Sequence, residues 1–119
     1  MTPPSPVYKR GDVVLVLFPN SNLTSAKLRP ALVVQSDNIQ TGLPQIIIAM
    51  ITSRIIRANH PSRVLISLST PEGSRSGLLS DSVVMTDNLA TVVETAINRV
   101  IGALPMSNVN AALRHSLNL

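Results

Sequence analysis

Two apolar segments, each with a polar residue at one end, constrain the fold of this 119-residue chain most strongly. The first, residues 31–34, directly follows Arg29 and Pro30, and the second, residues 46–51, leads into Thr52. The intervening residues 35–44 are rich in Ser, Asp, Asn, Gly and Pro, which favour turns. The pattern therefore predicts an antiparallel hairpin in which Arg29 and Thr52 meet at the end of the sheet opposite the turn.

The remaining apolar segments also have the length and composition of short strands. They comprise residues 13–18, 64–68, 82–85, 89–93 and 97–102, of which 89–93 either continues the preceding strand or pairs with it. Residues 70–77 are predicted to form a long turn. Many short strands at regular spacing predict a mainly β fold, a small barrel or a sandwich. Near the end of the chain, apolar residues recur every four positions, which predicts an amphipathic helix capped by Ser107.

The length favours one domain, residues 9–119, preceded by a flexible proline-containing arm, residues 1–8. The chain has one Phe, one Tyr and no Trp, so its core must be aliphatic. This composition argues against a base-stacking platform of the RRM type.

A formal net charge of +4 favours an anionic partner, although many basic proteins of this size bind no nucleic acid. The absence of Cys excludes disulfides, thiolate metal sites and a thiol nucleophile. Neither metal-ligand spacing nor a nucleotide-binding motif is present, so no metal and no cofactor are expected. Without a leader sequence or a long apolar span, the chain is expected to be cytoplasmic and to have no membrane partner.

Arg29 and Thr52 are the strongest candidates for a functional role. An extended backbone places Lys27 on the same side as Arg29, and the planar guanidinium could orient a phosphate. The alternative is an arginine that prevents self-association of an edge strand. Thr52 and Ser53 lack an adjacent His or Asp that could act as a base, so binding of a phosphate oxygen is favoured over covalent nucleophilic catalysis.

Two loops could frame a substrate next to these residues. Residues 54–63 contain three arginines and a histidine, of which Arg54, Arg57 and His60 are candidate phosphate contacts. A solvated basic loop is an equally good interpretation. The polar segment 20–26, with Asn20 and Asn22, is predicted to be a mobile loop beside the site.

Taken together, several sequence blocks resemble the MazF/PemK/Kid family of toxin endoribonucleases over nearly the whole chain. The blocks are GDVVLV at 11–16, KLRPALVV at 27–34, ITS at 51–53, SGL at 76–78, DSVVMTDNLATV at 81–92 and INRVIG at 97–102. The chain departs from the family pattern at Ala90, where many members carry a cation that is a potential RNA or structural contact.

The resemblance implies an SH3-like small barrel of the CcdB/Kid/MazF type with a C-terminal helix. It implies a homodimeric, cytoplasmic toxin of a type II toxin–antitoxin system, inhibited by a cognate acidic antitoxin and contacting operator DNA only through the antitoxin complex. The implied activity is sequence-specific, metal-independent cleavage of single-stranded mRNA by attack of the ribose 2′-hydroxyl. By the same resemblance, Arg29 would assist proton transfer and stabilise the transition state, and Thr52 would bind the phosphate.

Two other functional classes remain open from the sequence. A non-catalytic or gyrase-targeting CcdB-like binding module would share the fold without cleaving RNA. An SH3-like adaptor for proline-rich peptides is disfavoured, because such peptide-binding grooves are lined with aromatic residues.

Overall fold

The computed structural model describes residues 8–19, 22, 24–37 and 39–119. Within these residues the strands and helices are β1 (Asp12–Pro19), β2 (Ala26–Val33), β3 (Gln45–Thr52), β4 (Arg63–Ile66), α1 (Pro71–Arg75), β5 (Ser82–Val93), β6 (Ile97–Ala103) and α2 (Ser107–Leu117). Short 3-10 turns occupy Ile55–Ala58 and Glu94–Ala96. Except for Tyr8, the predicted arm lies outside the described residues.

The six strands form one antiparallel sheet in the order β4-β5-β3-β2-β1-β6. This arrangement, followed by the helix α2, confirms the predicted mainly β fold. The predicted hairpin is also present, with Leu32 opposite Ala49 and Val33 opposite Ile48. Its connection contains Gly42 at a φ of 76°, a conformation that glycine adopts without strain.

Residues 82–93 form one long strand, so segment 89–93 continues the strand that precedes it. The pairing with β3 shifts between Met85, opposite Met50, and Leu89, opposite Ala49. The extra residues on β5 form a bulge, which is anchored by the buried Thr86. The Thr86 hydroxyl donates to the carbonyl oxygen of Ser62 at 2.7 Å.

Apolar side chains form clusters on both faces of the sheet, because successive residues of a strand point to opposite sides. One cluster comprises Val13, Leu32, Val34, Ala49, Ile51, Ile66, Val84 and Leu104, together with Val109 and Leu113 of α2. The other comprises Val14, Val16, Ala31, Val33, Ile46, Ile48 and Ile97. Both faces of β1 are covered near its start, as its continuous apolar run predicts.

The two edges of the sheet are joined by the segment that links α1 to β5. An added Cβ at Gly77 would lie 2.0 Å from the carbonyl oxygen of Ile101, and one at Gly102 would lie 2.3 Å from the backbone of Ser76. These distances show that the Ser76–Gly77 backbone packs directly on β6. Ile66 of β4 belongs to the first cluster and Ile101 of β6 packs against it, so the sheet curls into a small barrel.

Several boundaries differ from the sequence-based expectations. Strand β4 ends at Ile66, two residues before the predicted end at Leu68. Part of the predicted turn 70–77 is the helix α1, which Thr70 caps by accepting a hydrogen bond from the backbone N–H of Gly73 at 3.0 Å. The prediction that Ser107 caps α2 is wrong, because Met106 is the capping residue and its carbonyl accepts the N–H of Asn110 at 2.7 Å. Strand β6 extends to Ala103, one residue past the predicted end at Gly102.

The helices in the described part of the chain are too short or too polar to cross a lipid bilayer.

Candidate active site

The candidate site lies where β2 and β3 separate. Their described pairing runs from Val33 opposite Ile48 to Ala31 opposite Met50 and ends there, although β2 continues to pair with β1 as far as Ala26. If the pairing of β2 with β3 continued for two more residues in the same register, Arg29 would lie opposite Thr52. Pro30, between Arg29 and the end of the ladder, has no backbone N–H to donate.

An open cavity of about 410 Å³ lies beside the separated strands. Its lining residues come from β1, β2, β3, β6 and the segment before β5: Leu15, Lys27, Leu28, Arg29, Pro30, Ile51, Thr52, Ser53, Gly77, Leu78, Leu79, Ser80, Ser82, Arg99 and Ile101. Arg29 and Thr52 therefore line the same cavity, together with the predicted contacts Lys27 and Ser53.

The described lining of the cavity carries only positive charge. Lys27, Arg29 and Arg99 line it, and none of the described lining residues is Asp or Glu. In the described part of the chain, these three side chains form no ion pair and no hydrogen bond. Cations in a concave surface raise the local concentration of anions, so the cavity is suited to a phosphate-containing ligand.

The hydroxyl of Thr52 is held in place by the local backbone. Its oxygen accepts a hydrogen bond from the N–H of Arg54 at 3.2 Å, which leaves its own proton available to a ligand. Thr52 is half-buried, whereas Ser53 and Arg29 are exposed. Among the described lining residues there is no histidine, aspartate or glutamate. This lining suits the stabilisation of negative charge better than the activation of a serine or threonine nucleophile.

The other predicted contacts that lie in the described part of the chain do not line this cavity. Arg54 and Arg57 are exposed at the 3-10 turn that follows Ser53, and an Arg57 guanidinium nitrogen lies 3.8 Å from the sulfur of Met85. His60 accepts the N–H of Ser62 through Nδ1 at 3.0 Å. Asn22 accepts the N–H of Thr24 at 3.1 Å, and Asn20 lies outside the described residues.

The remaining arginine of the basic loop is paired within the protein. Arg63 donates from Nε and Nη2 to the two carboxylate oxygens of Asp87, at 2.8 and 2.7 Å. It also donates to the backbone carbonyl of Arg57 at 3.1 Å. This bidentate pair connects the loop to the β5 bulge, so the positive patch seen in the sequence is smaller in the folded chain.

The pair makes stability depend on pH. The hydrogen bond from Arg63 lowers the pKa of Asp87 below its ordinary value. A carboxyl group with a lower pKa in the folded state stabilises the fold above the unfolded-state pKa, about 3.9, and that contribution is lost as the pH falls through the folded-state pKa.

Asp87→Asn should therefore lower the Tm at pH 7 by a few degrees at most, because the pair is partly exposed. Thermal unfolding followed by circular dichroism at pH 7 and about pH 2 would measure this, and the difference between wild type and variant should be smaller at the lower pH. A difference that persists unchanged in acid would show that the ion pair is not its cause.

Arg99 is the functional candidate that residue-by-residue inspection of the sequence does not identify. It reaches the site because β6 pairs with β1, with Arg99 opposite Leu15, and Leu15 in turn lies opposite Pro30. Only this pairing between strands that are distant in the sequence identifies Arg99 as a residue of the site. Ala90, the departure from the family pattern, lies opposite Ile48, packs against the second apolar cluster and does not line the cavity.

Comparison with known proteins places this chain in a family. A family model described as PemK-like, MazF-like toxin of type II toxin–antitoxin system matches residues 9–117. Endoribonuclease MazF of Staphylococcus saprophyticus is 32% identical over 117 residues, which cover 95% of this chain and 93% of that protein. Endoribonuclease EndoA of Bacillus subtilis is also 32% identical over 117 residues, covering 95% of this chain and 97% of that protein.

A solved structure supports the fold. A mycobacterial endoribonuclease in complex with its cognate antitoxin superposes with a TM-score of 0.69 at 22% identity, covering 94% of this chain and 96% of the other. The family match spans nearly the whole chain, including every strand of the sheet. The chain therefore belongs to the PemK-like, MazF-like family of toxins of type II toxin–antitoxin systems.

Proposed function

We propose that this chain is a sequence-specific endoribonuclease that cleaves single-stranded mRNA, with Arg29 and Thr52 acting on the scissile phosphate. The observation that carries the proposal is the cavity that both residues line, whose described lining contains three cationic side chains and no carboxylate. The names of the relatives, both endoribonucleases, support the same activity.

The reaction is a transesterification within the RNA. The 2′-oxygen of one ribose attacks the adjacent phosphorus and loses its proton, while the bond from phosphorus to the 5′-oxygen of the next nucleotide breaks. The leaving 5′-oxygen takes up a proton, which gives a 2′,3′-cyclic phosphate and a 5′-hydroxyl.

The two residues have different roles in this reaction. Negative charge develops on the phosphoryl oxygens, and the permanently charged, planar guanidinium of Arg29 can stabilise it through paired hydrogen bonds. Thr52, whose oxygen already accepts the Arg54 N–H, donates its proton to another phosphoryl oxygen and fixes the phosphate in the cavity. Lys27 and Ser53 bind the RNA next to it, and Arg54, Arg57, His60 and Asn22 are assigned to more distant contacts with the strand. Asn20, which lies outside the described residues, stays a predicted RNA contact.

Side-chain charge can replace a metal ion in this mechanism. Divalent cations in phosphoryl-transfer sites are held by carboxylates, which are absent from the described lining of this cavity. The reaction is therefore expected to proceed without a divalent metal.

The proposed partners are inferred from the family and from the positive charge of the cavity. A cognate antitoxin with an acidic segment would compete with RNA for the positive cavity, and the related mycobacterial structure contains a cognate antitoxin. We further propose a cytoplasmic homodimer that contacts operator DNA only when the antitoxin is bound.

Incubation of the purified protein with a mixed single-stranded RNA in excess EDTA tests the proposed activity. We expect fragments that begin with a 5′-hydroxyl, end in a 2′,3′-cyclic phosphate and share a short sequence at the cut. Intact RNA under these conditions, or cleavage that requires added Mg²⁺, would refute the proposal. Thr52→Val removes the hydroxyl of Thr52. Its matched control is Thr52→Ser, which keeps the hydroxyl and should cleave at a rate similar to that of wild type.

A further inference from the structure

Arg99 is the one cation of the cavity to which the proposed reaction gives no role. It is exposed on β6 and, within the described chain, its guanidinium has no carboxylate partner and no hydrogen bond. Protection of an edge strand accounts for a charge on β6, but it does not account for a charge that lines the cavity with Leu15 and Ile101.

The position of Arg99 separates it from the phosphate assigned to Arg29 and Thr52. Strand β1 lies between β6 and β2, so two strand spacings, about 10 Å, separate the backbones that carry the two arginines. The register also differs: Arg29 lies opposite Val16, whereas Arg99 lies opposite the next residue along β1, Leu15. The β1–β6 pairing shifts register between Leu15 and Val16, so the two arginines line the cavity from different strands and at different positions along β1.

We infer that Arg99 forms a second phosphate-binding subsite, which takes a phosphodiester adjacent to the scissile one in the same RNA strand. This inference rests on the proposed function and extends it to a longer stretch of substrate. A single-stranded RNA repeats its charge at every nucleotide, so a cavity with separate cations can hold consecutive phosphates and fix the register of the strand. The residue is assigned to substrate binding and not to the bond-breaking step.

The test uses short oligoribonucleotides that contain the mapped cleavage site. In one set, an uncharged methylphosphonate replaces a single phosphate next to the scissile one, on either flank. Wild type should lose about ten-fold in kcat/KM at one of these positions, since a charge-assisted hydrogen bond is removed. Arg99→Ala should lose about the same factor on unmodified RNA, mainly through KM, and should show no further loss with the methylphosphonate at that position.

Arg114→Ala is the matched control, because it removes an equal charge from α2. Arg114 lines a groove with Val34, at the opposite end of β2 from the cavity, so this variant should respond to methylphosphonates as wild type does. Arg99→Gln keeps a polar side chain of similar length and should behave as Arg99→Ala. It provides a second test of the subsite if the alanine variant does not fold. The salt dependence gives a second readout: log kcat/KM against log salt should become shallower by about 0.7 for both Arg99 variants.

The outcomes separate the two hypotheses. If wild type cleaves RNA but the Arg99 variants keep the full wild-type sensitivity to every neutral linkage, the subsite is refuted and the proposed function stands. If wild type cleaves no RNA, the proposed function is refuted and the subsite with it.

Discussion

Replacing Arg29 with alanine is expected to lower kcat/KM for RNA cleavage by about 10³-fold, which corresponds to about 4 kcal/mol of transition-state stabilisation. The reason is that Arg29 places a positive charge in the cavity that Thr52 also lines, and the described lining of that cavity contains no carboxylate. Its side chain is exposed and makes no contact with a charged partner in the described structure, so the fold should tolerate the change. Initial rates on a mapped oligoribonucleotide measure the effect.

Two variants separate charge from geometry in this experiment. Arg29→Lys keeps the charge and loses the planar pair of donors, so it should recover only part of the activity. Arg114→Ala removes a charge on α2, near the other end of β2, and should cleave within about two-fold of wild type, as expected when long-range charge alone is lost. An Arg29→Ala variant with nearly full activity would remove Arg29 from the mechanism.

Replacing Gly77 with alanine should lower the free energy of unfolding by at least about 3 kcal/mol. Its φ of 75° is unfavourable for any residue with a Cβ, and the added carbon would lie 2.0 Å from the carbonyl oxygen of Ile101. Backbone must therefore move, and the contact that joins the two edges of the sheet opens. Urea denaturation followed by circular dichroism measures the loss.

Gly42→Ala is a closely matched control for this prediction. Gly42 has a φ of 76°, but an added Cβ would meet nothing within 4 Å. This variant should lose only the conformational cost of about 1–2 kcal/mol. Equal losses for the two variants would show that close packing of the Ser76–Gly77 segment on β6 does not contribute to stability.

The hairpin was predictable because its signals are local. Two aliphatic runs separated by a polar segment that contains glycine and proline predict two neighbouring antiparallel strands, and this prediction needs no information from the rest of the chain. The meeting of Arg29 and Thr52 at one cavity follows from that register. What the sequence did not show is that the part of β2 before Ala31 is separated from β3, which leaves a cavity at this end of the sheet.

The remaining features depend on contacts between distant residues. Arg99 reaches the cavity through the pairing of β6 with β1, and Asp87 neutralises Arg63 across the β5 bulge. Neither partner can be identified from neighbouring residues. The helix α1 was missed because a five-residue helix containing Pro and Gly has the composition of a turn.

The most direct test of the central claim is a double-mutant cycle on Arg29 and Thr52. Cleavage rates of wild type, Arg29→Ala, Thr52→Val and the double variant are measured on one oligoribonucleotide in EDTA. If both side chains act on the same phosphate, the double variant should lose at least about five-fold less than the product of the two single losses. Losses that simply multiply would contradict a shared phosphate and show that the two residues act independently.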